Sequence, residues 1–174
     1  MTFTLLLGGA RSGKSALAER WAHEHVDAGG SVAVVATAEA FDDEMRERVA
    51  RHRADRPAVW TTIEEPLDLA AAITAAPPDA LAVVDCLTTW LANLAFHGRA
   101  GDTDAAATRA LDAIAARPGQ TIVISNEVGS GIVPADAGTR AYRDELGRLN
   151  QRFAVAADEA LLVVAGRVLR LEQP

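Results

Sequence analysis

The sequence predicts an α/β fold in which a mostly parallel sheet carries helices on both faces and closes with a C-terminal β-hairpin. Short apolar runs that do not alternate with polar residues are typical of parallel strands buried on both faces. Segments with helical spacing separate these runs, as expected where strands and helices follow each other in turn. The predicted parallel strands are residues 3–7, 31–36, 80–84 and 121–125. Two closing runs, residues 161–165 and 168–171, flank Gly166-Arg167 and predict the hairpin.

The first two helices are recognisable from their spacing and their charge. Leu17 and Trp21 give residues 15–26 helical spacing. Residues 41–56 form a strongly charged segment with acids in the first turn and arginines in the last, which suits the helix dipole. Pro57 is expected to end this second helix.

The later helices follow from prolines, glycines and apolar spacing. Residues 60–63 are expected to be a short extended piece, and Glu64-Glu65-Pro66 then opens a helix that runs to residue 76. Pro77-Pro78 is a break before the next strand. The remaining helices are predicted at residues 87–96, 103–116 and 138–157.

Residues 8–15 are the element around which the rest of the chain is organised. They fit the pattern G-x-x-x-x-G-K-[ST], a loop that wraps the phosphates of a nucleotide, and they lie between a predicted strand and a predicted helix. Glycines let the backbone turn its N–H groups inward, and the helix adds its positive dipole end. Lys14 is the only lysine of the chain, and in this pattern it reaches the β- and γ-phosphates. The candidate phosphate-binding residues are Gly8, Gly9, Ala10, Arg11, Ser12, Gly13, Lys14 and Ser15.

On a sheet of this kind the motif predicts a P-loop NTPase fold of the RecA-like type with a bound Mg²⁺. The Ser15 hydroxyl is expected to complete the shell of the ion. Asp85 follows the strand at residues 80–84 and therefore reaches the same sheet edge, where it would orient Mg²⁺ directly or through water. Capping of the next helix is an alternative role for Asp85, and the two roles are compatible.

Three further sets of residues stay open to two interpretations from spacing alone. His52 continues the apolar line of its helix, so spacing favours a partly buried structural histidine and leaves a catalytic one as the alternative. Glu64 and Glu65 precede a predicted helix, where acids commonly pair with the dipole. The arginines at positions 140, 143 and 148 either meet a phosphate or form a solvated face paired with Asp144 and Glu145.

Two segments at the carboxyl edge of the sheet are candidates for the site on topology. Residues 37–39 follow a parallel strand, and ligands of open parallel sheets bind beyond that edge. Residues 126–134 are polar and Gly-rich, and they follow the strand at 121–125. Loops that a rigid scaffold presents in this way commonly carry function.

Composition limits the classes of protein to which the chain can belong. The 174 residues suit one domain over residues 1–174. A net charge of -7 opposes nucleic acid and anionic membranes as partners. Cys86 is the only cysteine, which excludes an internal disulfide and fits a reducing, cytoplasmic compartment. The N-terminal apolar run is too short for a signal peptide core or a membrane span.

Five blocks of sequence, taken together, resemble one enzyme family. The chain resembles the bifunctional adenosylcobinamide kinase/adenosylcobinamide-phosphate guanylyltransferases of cobalamin assembly. The first block is shared with many proteins, whereas the others in this order are distinctive, and the resemblance spans nearly the full chain. The blocks are residues 8–15, 42–57, 85–89, 126–134 and 148–159.

The resemblance implies two successive transfers. A γ-phosphoryl group from ATP or GTP first moves to the aminopropanol hydroxyl of adenosylcobinamide. GMP from GTP is then attached to adenosylcobinamide phosphate through a histidine that carries GMP, and pyrophosphate is released. The matching histidine in this chain is His52, and its neighbour Arg51 departs from relatives that have two adjacent histidines.

The same resemblance implies a guanine-nucleotide site and an oligomer. With Lys14, His52 is the catalytic residue, and Mg²⁺ is the expected cofactor. Family likeness alone implies a ring-like homo-oligomer, which is expected to be a trimer. The residues matching the family's nucleotide site are Ala36, Thr37, Ala38, Arg53, Ala54, Asp55, Arg56, Glu64 and Asp85.

Two other functions compete with this interpretation. A different small-molecule kinase on the same fold needs only the loop, Mg²⁺ and Asp85, but it leaves the block around His52 without a task. A GTP-operated binding module commonly reads guanine with Asn-Lys-x-Asp, which this chain cannot contain because Lys14 is its only lysine.

Overall fold

The structure, a computed structural model, describes residues 2–40, 43, 46, 47, 53 and 56–173. In this part of the chain seven strands form one sheet in the order β3-β2-β4-β5-β1-β6-β7. All neighbouring pairs are parallel except the antiparallel pair of β6 and β7. The strands are β1 Phe3–Leu7, β2 Val32–Ala36, β3 Thr61–Glu64, β4 Leu81–Asp85, β5 Thr121–Ile124, β6 Glu159–Val164 and β7 Arg167–Leu171. The predicted parallel sheet with a C-terminal hairpin is therefore confirmed.

Five α-helices and one short 3₁₀-helix have both ends within the described residues. Helices α3 and α4 have the predicted bounds, and α1 and α5 differ from prediction by one residue at each end. The helices are α1 Lys14–Asp27, α2 Leu69–Ala75, α3 Leu87–Phe96, α4 Thr103–Ala116 and α5 Ala137–Ala156, with the 3₁₀-helix at Ala100–Asp102. None of them combines the length and the apolar character needed to cross a membrane.

The helices cover both faces of the sheet, as the apolar strands predict. Helices α2, α3, α4 and α5 pack on one face, around the fully buried side chains of Trp90 and Phe153. Helix α1 packs on the other face, where Leu17 contacts a cluster that includes Leu6 and Val83. Burial on both faces explains why the strand sequences are continuous apolar runs.

The prediction that Glu64-Glu65-Pro66 opens a helix is wrong. Glu64 is the last residue of β3, and α2 begins at Leu69. The Glu65 carboxylate accepts hydrogen bonds from the N–H groups of Leu67 and Asp68, both at 2.9 Å. The backbone of residues 66 and 67 is a bend, which these two hydrogen bonds stabilise. Asp68 then caps α2 by accepting from the N–H of Ala71 at 3.1 Å.

Much of the predicted charged helix lies outside the described residues. Of residues 41–56, the structure describes Asp43, Arg46, Glu47, Arg53 and Arg56, and the first four of these are helical. The apolar line of that helix and His52 are not among them.

A buried arginine holds the end of α2 against β4. Arg117 is 5% exposed and donates to the carbonyl oxygens of Ile73, Ala76, Pro77 and Ala80 at 2.8–3.1 Å. A planar guanidinium supplies several donors in a fixed geometry, which suits a cluster of four carbonyl oxygens. The side chain therefore replaces the missing hydrogen bonds at the C-terminus of α2.

We expect Arg117→Leu to lower the free energy of unfolding by about 2–4 kcal/mol, because buried carbonyls lose their donors. Urea denaturation followed by circular dichroism measures the change. Arg109→Leu, at an exposed position of α4, is the matched control and should change stability by less than about 0.5 kcal/mol. Equal stability of the two variants would contradict this role of Arg117.

Candidate active site

The carboxyl ends of β1, β2, β4 and β5 meet at one edge of the sheet. Hydrogen bonds continue beyond the strands there: Ser125 N–H donates to the carbonyl of Leu6 at 2.9 Å, and Thr37 N–H donates to that of Asp85 at 3.0 Å. The phosphate loop, the segment after β2 and the segment after β5 consequently start side by side. This edge is where open parallel sheets bind ligands.

Two glycines of the phosphate loop occupy positions that other residues would not tolerate. Gly8 has a φ of +155°, and a Cβ there would collide with the carbonyl oxygen of Val163 and lie 2.7 Å from Ser12 Oγ. Gly13 has a φ of +104° and directly precedes α1. The loop therefore packs against β6, which explains both ends of the glycine pattern.

Lys14, the first residue of α1, turns its side chain back into the phosphate loop. Its Nζ donates to the carbonyl oxygens of Gly8 at 2.7 Å and Gly9 at 2.8 Å. Burial lowers the pKa of Lys14, and the nearby Cys86 and Asp85 oppose that shift. The ammonium is thus held inside the loop by oxygens that a phosphate can replace.

A cavity of about 580 Å³ opens at the same edge, and its lining includes Asp85 and Cys86, which lie near Lys14 of the phosphate loop. Its size is in the range of small-molecule sites. Six of the residues predicted for the nucleotide site line it, namely Ala36, Ala38, Arg53, Arg56, Glu64 and Asp85. Thr37, between two of them, is fully buried beneath the cavity.

Ser15 and Asp85 line one small cavity of about 30 Å³ next to the phosphate loop. This is room for about one water or ion. A hydroxyl and a carboxylate are oxygen donors of the kind that Mg²⁺ prefers, and Mg²⁺ usually keeps its other positions for water and phosphate. No group of three or more His, Cys, Asp or Glu side chains that could hold a metal occurs in the described part of the chain. Ser15 and Asp85 thus offer two oxygen donors that suit the predicted ion.

Asp85 does not cap the helix that follows it. The N-cap residue of α3 is Cys86, and Asp85 is the last residue of β4. Burial raises the pKa of Cys86, and the negative charge of Asp85 adds to that effect. The thiol is consequently protonated near neutral pH and is unsuited to act as a nucleophile.

A buried polar network that the sequence did not reveal fixes the floor of the cavity. Thr37 Oγ1 donates to the carbonyl of Cys86 at 2.8 Å and accepts from the N–H of Cys86 at 2.9 Å. Asn93, which is 1% exposed, donates from Nδ2 to the carbonyls of Thr37 at 2.6 Å and Pro66 at 3.1 Å. The amide therefore ties the ends of β2 and β3 to α3. An asparagine inside the apolar segment 87–96 is the signal that could have identified it.

A second network anchors the segment after β5. Asn126 N–H donates to Thr88 Oγ1, and Asn150 Nδ2 donates to the carbonyl of Asn126, both at 2.9 Å. Tyr142 OH donates to the carbonyl of Thr88 at 2.8 Å. Burial raises the pKa of Tyr142 to about 12, so it stays a donor at neutral pH. Helices α3 and α5 thus hold this segment at the mouth of the cavity.

Several charged residues whose role the sequence spacing did not decide have partners within the chain. Glu64 forms an ion pair with Arg53 at 3.1 Å, so it is not a helix-dipole partner. Arg143 pairs with Asp144 at 3.1 Å and Arg148 with Glu145 at 2.9 Å, as the solvated-face interpretation predicts. Arg140 instead donates to the carbonyls of Pro134 and Ala135.

Three predicted site residues lie outside the described residues. These are His52, Ala54 and Asp55. Their described neighbours Arg53 and Arg56 both line the cavity. The roles of all three remain predictions.

Comparison with known sequences identifies the family. The sequence model of the CobU family, described as cobinamide kinase / cobinamide phosphate guanyltransferase, matches residues 4–171. The chain belongs to the CobU family. This confirms the resemblance and favours it over the generic kinase and the GTP-operated module.

Relatives in the CobU family match over nearly their whole length. The chain is 45% identical to the bifunctional adenosylcobalamin biosynthesis protein CobP of Pseudomonas aeruginosa, over 97% of this chain and 96% of that protein. It is 42% identical to the protein of the same description, CobU, of Salmonella typhimurium, over 93% and 95% of the two chains. CobU of Escherichia coli is 38% identical over the same shares.

Solved structures show the fold that this CobU family member shares with more distant proteins. The flagellar accessory protein FlaH from Methanocaldococcus jannaschii superposes with a TM-score of 0.54 at 12% identity, over 96% of this chain and 74% of that one. A second solved structure, an ATPase domain, gives a TM-score of 0.55 at 13% identity, over 92% of this chain and 68% of that one. The predicted P-loop NTPase fold is confirmed.

We expect Thr37→Val to lower the free energy of unfolding by about 1–3 kcal/mol, because the isosteric side chain removes the acceptor of the Cys86 N–H. Thermal or urea denaturation measures the loss. Thr74→Val provides the control, since Thr74 bonds only the carbonyl of Ala70 on the exposed side of α2. If both valine variants were as stable as the parent, the Thr37 network would not hold the floor of the cavity.

Proposed function

We propose that this member of the CobU family phosphorylates the aminopropanol hydroxyl of adenosylcobinamide with ATP or GTP. It then transfers GMP from GTP to the resulting phosphate, which gives adenosylcobinamide-GDP and pyrophosphate. The observation that carries the proposal is the cavity beside the phosphate loop, because residues matched from four separate stretches of sequence line it together. The family match over residues 4–171 supports the same two activities.

The phosphate loop would serve the kinase step. The acceptor oxygen forms a bond to the γ-phosphorus as the bond to the bridging β–γ oxygen breaks, and the hydroxyl proton is released. Lys14 Nζ would leave the carbonyls of Gly8 and Gly9 for the β- and γ-phosphates. Phosphoryl transfer depends on such positioning and charge stabilisation rather than on covalent help from the protein.

His52 would carry the nucleotide in the second step. A neutral imidazole nitrogen attacks the α-phosphorus of GTP, a P–N bond forms, and the bond to pyrophosphate breaks. A phosphate oxygen of adenosylcobinamide phosphate then attacks the same phosphorus and releases the histidine. Imidazole suits this task because it is about half neutral near pH 6.5 and needs no strong base.

The lining of the cavity would select the guanine nucleotide. The carboxylate of Glu64 offers acceptors for the N1–H and 2-amino donors of guanine, which adenine lacks in that arrangement. Arg53, paired with Glu64 at 3.1 Å, would keep that carboxylate oriented. Ala36 and Ala38 leave room for the nucleotide beside them, and Ala54, Asp55 and Arg56 complete the proposed site.

Ser15 and Asp85 would hold Mg²⁺, which would offset the charge that develops on the departing phosphates. The cytoplasmic location and the single domain over residues 1–174 stay predictions. The free Cys86 supports the first of these.

The C-terminal hairpin supports an oligomer, with a trimer as the expected form. Every residue of β7 is exposed, including Val168 at 47%, Leu169 at 61% and Leu171 at 38%. A strand with apolar side chains exposed on both faces is a liability in an isolated chain. A second copy of this chain covering β7 would remove that exposure.

We expect α-labelled GTP to label the protein covalently, in a bond that is labile to acid and stable to alkali, and His52→Ala to abolish the label. Phosphoramidates have this stability, whereas phosphate esters do not. His23→Ala, a histidine whose ring packs on Trp60, should keep the label. Labelling that survives in His52→Ala would overturn the assignment of the nucleotide carrier.

We expect light scattering to give a mass several times that of the 18.3 kDa chain, and Leu169→Arg to give the mass of one chain. A buried, unpaired charge in a subunit contact costs several kcal/mol, which is enough to separate subunits. Val59→Arg, at a position that is 76% exposed outside the hairpin, is the control. A monomeric parent protein would contradict the oligomer.

A further inference from the structure

Three apolar side chains are exposed on the loop between β5 and α5. Ile132 is 97% exposed, Val133 is 62% exposed and Val128 is 40% exposed. We refer to these three side chains as the apolar tip. Single exposed apolar residues are ordinary, but three within six positions of one loop are a concentration of exposed apolar side chains that favours a contact.

Hydrogen bonds near both ends of the loop fix the backbone that carries the apolar tip. The Glu127 carboxylate accepts from Gly129 N at 2.7 Å, from Ser130 Oγ at 2.8 Å and from Ser130 N at 3.2 Å. Burial raises the pKa of Glu127, but these hydrogen bonds outweigh it and hold the pKa below the ordinary value. At the other end, Arg140 Nη1 donates to the carbonyl of Pro134 at 2.9 Å. The exposure of the apolar tip is therefore built into the structure of the loop.

The same loop is joined directly to the phosphate loop. Glu127 N–H donates to the carbonyl oxygen of Gly8 at 3.0 Å. Lys14 Nζ donates to that same oxygen at 2.7 Å. Asn126, at the start of the loop, lines the cavity beside the phosphate loop. The loop therefore begins beside the place where the hydroxyl of an acceptor would meet the γ-phosphate.

The chemistry of the apolar tip separates it from the nucleotide site. It carries no charge, and the carboxylate of Glu127 is already occupied by three donors. A triphosphate needs cations and N–H groups, which lie in the phosphate loop. A corrin ring is a broad, rigid macrocycle with methyl groups and neutral amide arms, so it gains most from an uncharged apolar surface.

We propose that the apolar tip, formed by Val128, Ile132 and Val133, is the docking surface for the corrin ring of the cobinamide acceptor. The inference rests on the proposed function, because it assigns the acceptor of the same site. In this arrangement the ring lies on the loop while the aminopropanol arm points toward Lys14. The tip binds the acceptor in both transfers and does not take part in the chemistry.

The double variant I132S/V133S tests the docking surface by direct binding. Isothermal titration calorimetry with cobinamide, in the presence of a non-hydrolysable ATP analogue, should show an affinity at least about tenfold weaker than that of the parent. The affinity for the nucleotide analogue should stay within about twofold. In steady-state assays the KM for cobinamide should rise while kcat at saturation is kept, because only binding of the acceptor is lost.

Val155→Ser is the matched control. Val155 is 73% exposed near the C-terminal end of α5, about 27 Å along the helix axis from its first residue. This variant should bind cobinamide as the parent does. Equal loss in both variants would show a general effect of removing exposed apolar surface and would overturn the inference.

The remaining outcomes separate the inference from the proposed function. If the parent protein does not bind cobinamide, the proposed function fails and the docking surface fails with it. If the parent binds and the double variant binds equally well, the docking surface alone is overturned. A changed mass of the variant in light scattering would indicate that the apolar tip is a contact between copies of the chain. A loss of nucleotide binding together with cobinamide binding would indicate that the tip supports the structure of the phosphate loop. Either result would overturn the inference.

Discussion

The structure depends on the hydrogen bonds of one buried ammonium group. Lys14 Nζ lies among the carbonyl oxygens of Gly8 and Gly9, at 2.7 and 2.8 Å. Burial disfavours a charge unless such partners surround it. The loop can supply them because Gly8 packs against the backbone of Val163 where no side chain would fit. The conformation of the loop, the packing of β6 against it and the position of the Lys14 ammonium therefore depend on one another.

That constraint links three regions of the chain. The carbonyl of Gly8 accepts from Lys14 and also from the N–H of Glu127. The carbonyl of Ser12 accepts from the N–H of Gly166, in the turn of the C-terminal hairpin, at 2.8 Å. A nucleotide that draws the ammonium away would thus act on a phosphate loop that is hydrogen-bonded to both the segment after β5 and the hairpin. These are the two regions with which we associate the acceptor and the neighbouring subunit.

The sheet was predictable from sequence because strands that are buried on both faces have continuous apolar sequences. Helices α3 and α4 were predicted at their observed bounds for a similar reason, since each has clear apolar spacing and a clear end. The start of α2 was not predictable from Pro66, because it depends on the Glu65 carboxylate occupying two backbone donors. A proline and two acids fit a helix opening and a bend equally well.

The site was predictable in part. The phosphate loop and Asp85 follow from motif and topology, whereas the lining of the cavity came from family resemblance. Asn93 was missed because its role joins Thr37 and Pro66, which lie 56 and 27 positions away in the chain. No local sequence pattern reveals a hydrogen bond between residues so far apart in the chain. The apolar tip was not predictable from sequence, because its exposure is a property of the folded loop.

A crystal structure with Mg²⁺ and a non-hydrolysable GTP analogue tests the central claim most directly. We expect Lys14 Nζ to have left the carbonyls of Gly8 and Gly9 and to lie within about 3 Å of β- and γ-phosphate oxygens. The Ser15 hydroxyl should lie about 2.1 Å from the ion. A triphosphate bound elsewhere, with Lys14 still hydrogen-bonded to its own loop, would contradict the account.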